Sequence, residues 1–141
     1  MRKFIKILLI LLLFLILHSC KDKSRPTQDL IMHEPSEMAL LMRQMYEYNK
    51  LVKQQIIAGD SLTDYPEDFK KIHTAVLTNP EEKDAEYDSL ANVFLTFQNK
   101  AFNTKKDSVV YYFNKSVNAC VTCHTTRCTG PIPKIKRLKI Q

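Results

Sequence analysis

Cys120, Cys123 and His124 stand in the order C-x-x-C-H, inside the stretch NACVTCHTTRC that also holds Cys128. Side chains of these types at this spacing have three chemical uses. Two thiols can close a disulfide in an oxidising compartment. Three cysteines and a histidine can hold a tetrahedral zinc ion. Two thiols can also add to the two vinyl groups on one edge of a porphyrin, with the adjacent imidazole held beneath the iron as proximal ligand. The rest of the chain weighs these uses. Cys123 and His124 are neighbours and hard to use on one zinc, so His33 or His73 would have to complete that set. A redox C-x-x-C pair sits at a helix start beside a βαβ pattern, and no such pattern occurs here. The leading expectation is one covalent haem c, with Cys120 and Cys123 as its thioether links and His124 as proximal iron ligand.

The start of the chain points to the compartment in which haem is attached in this way. Arg2, Lys3 and Lys6 form a basic head, and residues 7–17, ILLILLLFLIL, are unbroken apolar sequence. Eleven such residues rise about 16 Å as a helix, short of the roughly 30 Å hydrocarbon core of a bilayer, so the segment reads as a secretory signal. Its end, LHSC at 17–20, resembles the lipobox of bacterial lipoproteins, with His18 where a small residue is usual. That resemblance implies cleavage before Cys20, acylation of Cys20, and anchoring to a membrane of the cell envelope, facing the periplasm or the cell surface. Two or more acyl chains suffice for a stable anchor. Losing the three leader cations lowers the net charge from +6 to +3. Much of the remaining excess lies in Lys134, Lys136, Arg137 and Lys139. An exported chain without a recognition motif gives no case for nucleic acid, and the basic tail reads as a solvated one.

These residues need elements to position them, and the body of the chain supplies helical signals. Only Gly59 and Gly130 occur as glycines, and strict apolar/polar alternation is scarce. Pro35 and Ser36 open a first segment in which Met38, Met42, Met45, Asn49, Val52 and Ile56 recur at helical spacing, broadened by Leu41 and Tyr48, until Gly59 stops it. A second segment is expected over 64–78, with Asp64 as cap, Pro66 in the first turn, and Phe69, Ile72 and Val76 inward. Asn79 and Pro80 are expected to open a third, with Tyr87, Leu90, Phe94, Phe97 and Ala101 as its stripe. The fourth starts near Asp107, and its stripe of Val110, Phe113, Val117, and Cys120 or Val121 carries His124 on the inward face. Gly130, Pro131 and Pro133 end it. The expected fold is all-α, an antiparallel up-down four-helix bundle over 35–127. Residues 1–19 would be the signal, 20–34 a tether, and 128–141 an irregular basic tail.

With C-x-x-C-H on the last of four helices, residues 35–127 resemble the class II c-type cytochromes, cytochrome c′ and its low-spin relatives. The resemblance rests on the motif's position and the helix pattern. In the low-spin members a methionine of the first helix takes the sixth position on the iron. Here that implies Met42 as distal ligand, with Met38 and Met45 as alternatives. His33 would instead give a bis-His haem. His73 reads as a core or surface histidine, and His18 leaves with the signal. Tyr46, Tyr111 and Phe113 read as pocket or core packing, and Cys128 has no assigned role. A haem with both axial positions filled implies a membrane-tethered carrier of single electrons rather than an enzyme, served by redox partner proteins, and some relatives dimerise through their helices. The alternatives are a haem protein with an open sixth site that binds or senses NO or CO, and a non-haem zinc or disulfide lipoprotein with an interaction role. No phosphate loop, motif-placed carboxylate pair or nucleophile elbow appears.

Overall fold

The structure is a computed structural model and describes residues 1, 4–6 and 34–141. Most of the expected signal, most of the expected tether with Cys20, and His18 and His33 therefore lie outside the described residues. Among those described there is no strand, and no helix is long and apolar enough to cross a membrane.

Helix α1, Glu37–Ala58, begins where Ser36 leaves the extended region and its Oγ accepts the Ala39 amide at 3.1 Å. It ends at Gly59, whose φ of 76° is the left-handed conformation that glycine adopts without steric cost. Met38, Leu41, Met45, Asn49 and Val52 are buried along one face. Met42 is half-buried beside them.

The expected second α-helix is instead a 3₁₀ segment, Glu67–His73. Pro66 precedes it without a side-chain cap, and the buried pair Phe69 and Ile72 is spaced by three, which suits three residues per turn. Val76, expected inward, is 57% exposed, because the chain leaves the segment before reaching it and Ala75 takes the buried place. A further 3₁₀ turn, Pro80–Glu82, follows. It is not the start of the next α-helix. Asn79 makes no side-chain cap bond there. Helix α2, Ala85–Phe102, starts at Asp84, whose carboxylate accepts the Tyr87 amide at 2.7 Å. Its buried face is Tyr87, Ala91, Phe94, Gln98 and Ala101, with Leu90 and Phe97 only half-buried.

Helix α3, Lys106–Thr126, follows after residues 103–105. Arg127 at its far end bonds Asp84 at the start of α2, so the two helices run in opposite directions. Phe113, Ser116, Val117 and Ala119 are buried on it, whereas Val110 and Tyr111 are exposed. The tail is not irregular throughout. It forms a short helix α4, Ile132–Lys136, and buries Ile135 and Leu138. Pro131 and Pro133 end α3's direction but are compatible with a new first turn, where the missing amide hydrogens are not needed.

The core has two apolar clusters. One gathers Met38, Leu41, Met45, Phe69, Ile72, Tyr87, Ala91, Phe94 and Ala119. The other gathers Val52, Ala101, Phe113, Val117, Ile135 and Leu138. Cys120 packs against both.

Candidate functional site

Cys120, Cys123 and His124 occupy the last two turns of α3. Positions three and four apart share a helix face, so both thiols and the imidazole issue from one side. All three cysteines of the described residues, Cys120, Cys123 and Cys128, are unpaired. The two thiols have different surroundings. Burial between the clusters pushes the Cys120 thiol up to about 12. Burial also raises Cys123, and the Arg127 charge beside it partly reverses the effect.

His124 is half-buried rather than enclosed. The apolar stripe does point inward over Phe113 and Val117, but the helix ends two residues later and leaves the imidazole at its rim. The ring is nonetheless fixed. Its Nδ1 lies 2.7 Å from the Cys128 carbonyl oxygen. A carbonyl only accepts, so Nδ1 carries the hydrogen, and a neutral ring then holds its lone pair on Nε2. Orienting a histidine through the N–H opposite the ligating nitrogen is the usual support of a metal-bound imidazole. Cys128, which had no role in the sequence pattern, acts through its backbone.

The end of α3 is clamped. Arg127, with 10% of its side chain exposed, donates to the Glu82 carbonyl at 2.7 Å, to Asp84 Oδ1 at 2.8 Å and to Glu86 Oε2 at 3.1 Å. Its guanidinium also lies 5.7 Å from the Tyr87 ring centre. The Tyr87 amide first, and then Arg127, hold the Asp84 carboxyl below the ordinary carboxylate range. Sequence reasoning missed this clamp. The available signal was Asp84 standing immediately before a periodic apolar run, which is the pattern of an N-cap.

The methionines lie in the first cluster. Met38 and Met45 are buried in it, and Met42 packs on it, as Cys120 does. The Tyr87 hydroxyl donates to the Ile72 carbonyl at 2.7 Å and lies 3.6 Å from Met38 Sδ, so the Met38 sulfur already has a neighbour. His73 is half-buried, with Nδ1 2.9 Å from Asp88 Oδ1. Tyr46 sits beneath the Lys134 ammonium at 4.1 Å, and Tyr111 is 57% exposed rather than part of the core. Among the described residues no three His, Cys, Asp or Glu side chains gather as a metal-binding group. Covalent haem attachment needs two free thiols about a turn apart on one face and one imidazole with a free Nε2. The donor set of α3 fits that requirement.

No family model matches this chain, and no curated protein or solved structure matches it either.

Proposed function

We propose that this chain is an exported, lipid-anchored c-type cytochrome of the class II kind that carries single electrons. The observation that carries the reading is the His124 ring, fixed by its Nδ1–H on the Cys128 carbonyl next to two unpaired thiols on the same helix face. Cys120 and Cys123 would hold the haem and His124 would be its proximal ligand. Met42 is the distal candidate, because it is half-buried on the cluster that Cys120 joins and Met38 already faces Tyr87. Haem bound in this way supplies a one-electron centre whose potential follows its axial ligands and burial. The chain's own share is to hold the ring of His124 in one orientation, to clamp the end of α3 through Arg127, and to exclude water with the Met38–Phe94 cluster. The up-down four-helix bundle belongs to the same proposal, with the 3₁₀ segment Glu67–His73 in second place. So do the lipid on Cys20, the envelope location, a redox partner protein and a homodimer.

The test is a haem stain after denaturing electrophoresis, with spectra of the oxidised and reduced protein. The protein should stain, and alkylation in denaturant should find Cys128 reactive while Cys120 and Cys123 are blocked. Colourless protein from a host able to mature c-type cytochromes would end the proposal. Met42→Ala should turn a six-coordinate spectrum into a five-coordinate or water-ligated one. Rapid, complete carbon monoxide binding by the reduced wild type would move the assignment to a gas-binding haem. Cys20→Ser should leave the haem attached and release the protein from membranes.

A further inference from the structure

The basic tail is the feature that electron carriage does not use, and the fold gives it a definite shape. Residues 128–141 hold Lys134, Lys136, Arg137 and Lys139 and no Asp or Glu. Ile135 and Leu138 are buried against the cluster of Val52, Phe113 and Val117. Asn114 grips Ile140 twice, donating from Nδ2 to its carbonyl at 2.8 Å and accepting its amide on Oδ1 at 2.9 Å. Lys53 Nζ donates to the carbonyls of Arg137 and Lys139, each at 2.8 Å. With the apolar side chains facing in and the backbone tied down, Lys136, Arg137 and Lys139 are exposed. Together with Lys53, Ile57, Ile140 and Gln141 they line a hollow that contains no Asp or Glu side chain, the α-carboxylate of Gln141 being its one acidic group. Lys134 is different: it lies over Tyr46 and 3.9 Å from Glu47, so its charge is answered within the molecule.

Like charges fixed side by side repel, and a loose tail of the same composition would spread them apart. Here the fold brings them to one hollow with Ile57, which is 64% exposed. We propose that this hollow is a docking site for an acidic segment of a partner protein, whose carboxylates meet Lys136, Arg137 and Lys139 while an apolar side chain covers Ile57. Exposed apolar and charged side chains on one surface suit a protein interface, whose apolar contacts are bordered by polar ones. A membrane surface fits less well. Polybasic attachment to anionic lipid uses about 4–8 cations, and Lys53, Lys136, Arg137 and Lys139 reach only the lower end of that range, with Lys53 turned to two carbonyls. A flat headgroup layer also leaves the floor of a hollow uncovered. The proposal rests on this surface alone and stands or falls independently of the haem.

The test uses the full chain in detergent and a dye-labelled peptide of glutamates flanking a leucine, followed by fluorescence anisotropy. Binding should be clear at low ionic strength and weaken steeply towards about 0.15 M, as exposed charge pairs do. The variant K136E/R137E/K139E should bind about ten-fold more weakly or worse with unchanged far-UV dichroism and melting, because rim charges steer association rather than hold the fold. Ile57→Ser, at an exposed position, should weaken binding a few-fold and provides the check if the charge-reversal variant unfolds. Reversal of Lys100 and Lys115 on α2 and α3 should change nothing. The proposal is overturned if the wild type ignores the peptide, if the charge-reversed protein binds as the wild type does, or if only phosphatidylglycerol-containing vesicles are bound.

Discussion

Around Met38, Met45 and Tyr87 the core is lined with thioether sulfur and a phenol hydroxyl, and Arg127 and His73 stand at its edge. Around Val52, Phe113 and Leu138 the fully buried side chains are hydrocarbon. The boundary between the two regions is polar. Asn49 follows Met45 and precedes Val52 on α1, and Gln98 lies between Phe94 and Ala101 on α2. Gln98 Nε2 donates to Asn49 Oδ1 at 3.1 Å, while Asn49 Nδ2 donates to the Met45 carbonyl at 2.8 Å. The difference teaches how one small chain divides its work. Methionine is unbranched and polarisable and repacks easily, so the first region can adjust its shape more readily than the second. Phe113, Val117 and Val52 are nearly solvent-free and closed over by the tail, so the second region is tightly packed.

Breaking the hydrocarbon region should cost most. Phe113, 1% exposed, should lose about 3–5 kcal/mol of stability as Phe113→Ala, read by urea denaturation. Leu138→Ala should lose about 2–4 kcal/mol and also loosen the tail, so the Ile140 amide, protected by Asn114, should exchange faster with solvent. If Leu138→Ala melts like the wild type, the tail does not close the core and the contrast between the two regions fails. In the methionine region a volume-conserving change should be mild. Met45→Leu should cost less than about 1.5 kcal/mol in a chemical melt. A larger loss would mean that this region is as rigid as the other.

The smallest effect concerns the clamp at the edge of the first region. The Asp84 carboxyl is held low by the Tyr87 amide and by Arg127, so its contribution is present above the ordinary carboxylate range and is lost as pH falls through its own titration. Asp84→Asn keeps a capping acceptor but removes the charge. Its melting temperature should lie slightly below the wild type's at neutral pH, and the two should converge in acid. Parallel curves at every pH would remove the ion pair from the account.

Much of α1 and α3 was legible along the chain, because their apolar residues keep a three–four rhythm and Ser36 and Gly59 are strong start and stop signals. The 64–78 segment was not. Phe69, Ile72 and Val76 fit an α-helical spacing, and only packing of Phe69 and Ile72 against α1 and α2 selects a 3₁₀ turn that leaves Val76 outside. By sequence Asn79 is the expected cap where Asp84 holds that place, since both precede helical sequence and Arg127, 43 residues after Asp84, favours the second. The tail reads as irregular because its prolines forbid continuation of α3. They do not forbid a new turn folded back onto Phe113.

The sequence alone determined the chemistry on offer: two thiols and an imidazole at C-x-x-C-H, and methionines on a separate helical stripe, because residue type and spacing along one helix are local properties. The tertiary structure decided which nitrogen of His124 is free, which methionine sulfur already has a neighbour, and where the tail's cations gather. Each of these depends on groups distant in the chain or beyond a helix end, and no local spacing encodes where such groups meet.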